Sequence, residues 1–145
     1  MLKFNLIVLS LLISWVSFAQ NTPREIAEKF FDDYVEDGAS VALDNLYFTN
    51  KWINRSADAV ANLKSKMEGL NLDFVGEYYG HELISEKKLG QSYVLLAYLA
   101  KFDRQPIRYI FQFYKPKDQW VVYSFKYDSS IDDEIEEAAK VFNLE

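Results

Sequence analysis

The chain has 145 residues, 50% of them apolar and 17% aromatic, with a formal charge of −6 and no cysteine. That excludes a disulfide framework, a thiol nucleophile, a lipid-modified N-terminal cysteine and a Cys-based zinc site, so stability has to come from an apolar core. The surplus of acid argues against nucleic acid or an anionic membrane as partner.

Lys3 precedes an apolar run from Leu6 to Trp15, and Ser17-Phe18-Ala19 has the small-x-small form of a cleavage site. Residues 1–19 therefore read as a secretory signal peptide cut after Ala19, which places the protein in a periplasm or outside the cell. The run is shorter than the roughly 20 apolar residues a membrane-crossing helix needs, and no later stretch reaches that length without charges. Removing 19 residues from 145 leaves 126 with a charge of −7, the size of one domain over residues 20–145.

Thr22-Pro23-Arg24-Glu25 combines an N-cap, a proline at the first helical position and a capping-box glutamate. Ile26, Ala27, Phe30, Phe31, Tyr34 and Val35 then recur on one helical face, and Gly38 ends the helix. Ser40 is placed to cap a second helix carrying Val41, Leu43 and Leu46. Ser56 is placed to cap a third, with Val60, Leu63, Met67 and Leu70 in helical spacing up to a stop near Gly69. Asn54-Arg55-Ser56 also matches a glycosylation sequon, but the capping role explains Ser56 better.

The period changes at Phe74. Strands are predicted over about 74–86, 92–102, 106–114 and 120–127, and their short links make an antiparallel meander. The second strand, Tyr93 to Leu99, is apolar on both faces and belongs in the middle of the sheet. A three-residue loop at Pro116-Lys117-Asp118 would pair Phe113 with Val121, Phe111 with Tyr123, Tyr109 with Phe125 and Ile107 with Tyr127. Arg108, Ile110, Gln112, Tyr114, Trp120 and Val122 would then share the opposite face, with Ser124 and Lys126. A last, acidic helix over 130–143 carries Ile131, Ile135, Ala138 and Phe142 on one side and is expected to lie against the domain.

Three amphipathic helices, a four-strand antiparallel meander and a Lys-Pro-Lys-Asp-Gln-Trp hairpin leading into an aromatic strand are together similar to the nuclear-transport-factor-2-like (cystatin-like) superfamily. The resemblance covers about residues 22–127 and is nearest to small secreted bacterial members of unknown function; the acidic C-terminal helix departs from it. It implies an α+β cone in which a curved sheet wraps the first helix around an apolar pocket. Some members are isomerases, cyclases or dehydratases and others are binding or dimerisation modules, so the residues have to decide.

An isomerase or cyclase needs a base and a donor for the developing oxyanion. The expected inner face offers donors but no base, and each of Asp32, Asp33, Asp44, Glu77 and Glu82 reads as a solvated surface charge. His81 is the sole histidine; strand alternation puts Glu82 on the opposite face, which leaves it without an orienting acid. Asp128, Asp132, Asp133, Glu134, Glu136 and Glu137 do not follow a calcium-loop spacing, and a helix macrodipole accounts for acids in its first turns. No catalytic residue, metal ligand or cofactor is therefore assigned.

Tyr34, Tyr98, Tyr109, Phe111 and Tyr123 are the candidate lining of a pocket for a small apolar or aromatic molecule. Arg108, Ile110, Gln112, Tyr114, Trp120 and Val122 have the aromatic-plus-Arg character of an interface, best suited to a sheet-to-sheet homodimer. The expected role is a secreted, non-enzymatic domain that binds a small apolar ligand or a protein. The alternative is an isomerase- or cyclase-like enzyme using a pocket acid and tyrosines.

Overall fold

A computed structural model describes residues 21–142, so the expected signal peptide and its cleavage site lie outside the described residues. Thr22 opens α1 (Pro23–Glu36) with the expected capping box: its hydroxyl accepts the Glu25 N–H at 3.2 Å, and the Glu25 carboxylate accepts the Thr22 N–H at 2.7 Å. The helix buries Ile26, Ala27, Phe30 and Phe31. Val35 keeps the spacing but is 61% exposed, because it lies past the covered part of the helix on the wall of an open cleft.

Gly38, at φ 90°, occupies the N-cap position of α2 (Ala39–Phe48), which displaces the expected cap at Ser40. Ala42, Leu43 and Leu46 form its buried face, while Val41 turns outward. A 3₁₀ turn (Ile53–Ser56) leads into α3 (Ala57–Glu68), where Ser56 holds the N-cap position without a side-chain capping bond. Phe74 does not start a strand. The Asn71 side chain accepts the N–H groups of Asp73 and Phe74 and closes a single helical turn, α4 (Leu72–Val75), before Gly76 turns the chain.

The sheet then runs β1 (Tyr78–Leu89), β2 (Tyr93–Phe102), β3 (Pro106–Tyr114) and β4 (Val121–Asp128), all antiparallel and in that spatial order. The fold is α+β: helices first, then a four-strand sheet and a C-terminal helix. β2 is paired on both sides, as its apolar sequence requires. One face of the sheet carries Val94, Leu96, Tyr98, Ala100, Ile107, Tyr109, Phe111 and Phe113, all buried with α1 and α2 in a single core.

The β3–β4 register differs from the expected one. The last pair is Tyr114 with Val121, Phe113 faces Val122, and Tyr123 is an extra residue in a bulge, after which Phe111 faces Phe125 and Tyr109 faces Tyr127. A slip of one residue near the tip turns Val122 into the core, fully buried, and leaves Tyr123 61% exposed on the other face. Past the bulge the slip becomes two residues, which restores the parity and keeps Phe125 inward. Contacts from far along the chain hold this register: the Thr49 hydroxyl accepts the Val122 N–H at 3.0 Å, and the Asn50 amide donates to the Val122 carbonyl at 2.8 Å.

α5 (Ile131–Phe142) leaves Ile135 64% exposed, which corrects the expectation that its apolar side packs on the domain. Its first turn is held by charge instead. Arg108, with its side chain 15% exposed, donates to both Asp128 oxygens at 3.0 Å and to Glu134 at 2.6 and 2.8 Å. Among the described residues no helix is long and apolar enough to cross a membrane.

Gly76 joins α4 to β1 at φ +84°, and a Cβ there would lie 2.6 Å from the Asp103 Cβ in the β2–β3 loop. That loop is fastened to the same turn by Arg104 N–H to Val75 carbonyl and Asp103 N–H to Glu77 carbonyl bonds, each 2.9 Å. Gly76→Ala therefore combines strain and clash and should cost about 1–3 kcal/mol, read as a lowered urea midpoint at unchanged slope.

Candidate functional site

Strand alternation would put Tyr78 and His81, three residues apart, on opposite faces of β1. The pairing shows why it does not. Tyr78 faces Phe102 and His81 faces Ala100, so one extra residue lies between them in a bulge that contains Gly80 at φ +115°. Both side chains then point to the α1 side of the sheet, and the Tyr78 hydroxyl lies 2.5 Å from His81 Nδ1.

From the other direction, α1 supplies an acid. Glu28 Oε2 lies 2.7 Å from His81 Nε2, and the His81 ring stacks on Phe31 at 3.7 Å between centroids and 11° between planes. Glu28 precedes Phe31 by three residues, so the two share one helical stripe: Phe31 supports the imidazole ring and Glu28 holds its outer nitrogen. Arg24, one turn earlier on that stripe, donates from Nε to Glu86 at 2.8 Å and ties the same flank of α1 to β1. The result is a continuous chain from Tyr78 through His81 to Glu28.

Tyr78 lies on a cleft of about 770 Å³ between the end of α1, the start of α2, the end of α3 and the first residues of β1, with Tyr34, Met67, Leu70 and Phe102 in its apolar wall. Burial, reinforced by the Glu28 carboxylate, pushes the Tyr78 phenol up, so it stays neutral. Tyr98 is raised for the same two reasons. A second cleft of about 640 Å³ lies between α2 and α3, where Lys64 pairs with Asp44 at its edge.

The sequence-predicted pocket residues are placed differently. Tyr98, Tyr109 and Phe111 are fully buried and interlock with Phe30 and Phe31 in ring contacts of 5.2–6.0 Å. They are core, and none of them borders either of these two clefts. Tyr34 lies at the cleft, and Tyr123 is on the outer face against Tyr93. Of the expected interface, Ile110, Gln112 and Tyr114 do lie on that outer face. Val122 is in the core, Trp120 packs partly against the core, and Arg108 is engaged by Asp128 and Glu134.

The sequence reading passes over one acid, Glu28, and misplaces another, Asp33. Glu28 has only one detectable signature, its helical spacing from Phe31; its partner is 53 residues away on a strand whose bulge no alternation rule anticipates. Asp33, expected on a solvated flank, is 6% exposed and accepts from Lys29 Nζ at 2.8 Å and the Asn45 amide at 2.9 Å. Burial alone would raise its carboxyl, but those two donors outweigh it and hold the group below the usual range.

No family model, curated protein or solved structure matches the chain.

Two outcomes follow from this geometry. Because the folded Asp33 carboxyl titrates below its unfolded value, its contribution is complete above about pH 4 and disappears as pH falls through the folded pKa. Asp33→Ala should cost about 1–3 kcal/mol at pH 7 by urea unfolding, with the gap to wild type narrowing in acid. Gly80→Ala should strain the bulge and separate Tyr78 from His81, seen as a changed histidine side-chain nitrogen spectrum together with a loss of about 1–3 kcal/mol.

Proposed function

We propose that the protein is a secreted, non-enzymatic binding domain of the nuclear-transport-factor-2-like kind that takes a small, largely apolar molecule in the cleft beside Tyr78. The observation that carries this reading is the cleft itself: Tyr34, Met67, Leu70 and Phe102 give it an apolar wall, Tyr78 brings a phenol held by His81, and Glu68, Asn71 and Asp73 complete its lining. Few, fixed polar groups in an apolar concavity are what recognition of such molecules requires. Order of elements and the sheet meander support the superfamily reading, and the apolar leader supports secretion. The outer face, with Ile110, Gln112 and Tyr114, is the proposed surface for a homodimer.

A second reading, an isomerase- or cyclase-like enzyme, draws on the imidazole and carboxylate that stand behind Tyr78. In it Tyr78 would exchange a proton with the substrate while His81 and Glu28 compensate. Turnover of dienone or polyketide-like compounds that is lost in both Tyr78→Phe and His81→Gln would establish that reading and displace the first.

Native mass spectrometry of the protein purified from its own host tests the binding reading. The expected species begins at Gln20 and carries a small molecule released by mild activation. Leu72→Arg, at a cleft position 67% exposed and so free of folding consequences, should weaken that association at least about tenfold. A bare chain whose affinity for apolar probes is unaffected by Leu72→Arg would refute the cleft assignment.

A further inference from the structure

We infer that the Tyr78–His81–Glu28 chain makes the cleft selective for the hydrogen-bonding character of its ligand, accepting from a hydroxyl when His81 is neutral and donating to a carbonyl when His81 is protonated. The inference rests on the binding reading of the cleft. It follows from the proton inventory of the three side chains.

A carboxylate only accepts, so Glu28 requires a hydrogen on His81 Nε2. In the neutral ring that leaves Nδ1 as an acceptor, and the hydrogen bond to Tyr78 can form only if the phenol donates its proton to Nδ1. The Tyr78 oxygen then has only lone pairs left to offer a ligand that reaches it from the cleft Tyr78 lines. A ligand hydroxyl or other donor fits it, and an acceptor-only ligand does not.

Protonation reverses the direction. The imidazolium carries hydrogens on both nitrogens, so Nδ1 donates to the Tyr78 oxygen and the phenol hydrogen is freed for a ligand that reaches it from the cleft. A ketone, ester or carboxylate now finds a donor, polarised by the cation behind it. The groups around the ring are consistent with both states: Glu28 from α1, Tyr78 from β1 and Tyr98 from β2 face it, with Phe31 below. Beyond them the Arg24–Glu86 pair bridges α1 and β1. Phe31 and the bulge at Gly80 fix the ring, so the exchange needs no movement of the backbone.

Two neutral probes of similar shape separate the states: 4-tert-butylphenol, a strong donor, and 4-tert-butylcyclohexanone, which only accepts. Neither titrates between about pH 5 and about pH 8, the interval over which imidazoles change charge, so any pH effect belongs to the protein. In calorimetric titrations of the purified protein the phenol should bind more tightly at pH 8, and the ratio of the two dissociation constants should move toward the ketone roughly tenfold at pH 5. Tyr78→Phe and His81→Gln should each make that ratio independent of pH. Because His81 is the sole histidine, the imidazole nitrogen spectrum of labelled protein reports it alone, and it should show the Nε2–H tautomer at pH 8.

If both probes bind at a ratio that does not change with pH, or if the tautomer is Nδ1–H, the polarity inference is overturned while the cleft reading stands. If neither probe binds and no ligand accompanies the native protein, both are overturned.

Discussion

The seating of two adjacent phenylalanines of α1 on the sheet determines most of what else the structure does. Neighbouring helical side chains diverge by about 100°, so burying both Phe30 and Phe31 allows only one rotation of the helix. Phe30 meets Tyr109, Phe111 and Phe125 on the β3–β4 side, and Phe31 meets Tyr98 and His81 on the β1–β2 side. Each such ring contact contributes about 0.5–1.5 kcal/mol beyond the area it buries, and together they straddle the sheet. With the rotation set, Arg24, Glu28 and Phe31 form a stripe against the edge strand, while Phe30 and Asp33 form another toward α2.

The two carboxylates on those stripes show how depth decides role. Asp33 sits deep and has its donors supplied from its own helix and from α2, so it acts as a fixed joint between them. Glu28 is half-exposed and bonded to the sole histidine of the sequence, whose ring can carry one hydrogen or two. Removing a partner from Asp33 leaves a buried charge unsatisfied; changing the proton count at His81 merely reverses a hydrogen bond. The first belongs to stability and the second to the recognition proposed for the cleft.

What the sequence reveals here is what is local. The capping box at Thr22, the apolar stripe of α1 and the apolar run of β2 are each contained within a dozen or so neighbouring residues, and each is realised. The register of β4 is not local: it depends on Thr49 and Asn50 reaching Val122 more than seventy residues away, and the bulge at Tyr123 absorbs the mismatch. The candidate site is illegible for the same reason twice over, since it needs a bulge in β1 and an acid from α1. Helical periodicity likewise identifies an apolar face without saying whether anything covers it, which is why Val35, Val41 and Ile135 are exposed.

The filling of the space beneath the sheet bears on what the domain can do. Tyr98, Tyr109 and Phe111, chemically suited to a pocket, are consumed by packing against Phe30 and Phe31, which is why the proposed ligand site falls in the cleft at Tyr78. There both imidazole nitrogens are already bonded, and His81 reaches the cleft only through a phenol. That phenol is held neutral by burial and by a nearby carboxylate, which makes it a poor base and a well-defined hydrogen-bonding partner. Proton abstraction from a substrate would have to run uphill through Tyr78, whereas a change of hydrogen-bond direction breaks no contact, and the cation it needs on His81 stands beside the Glu28 carboxylate. The same three residues that suggest catalysis by their identity favour recognition by their order.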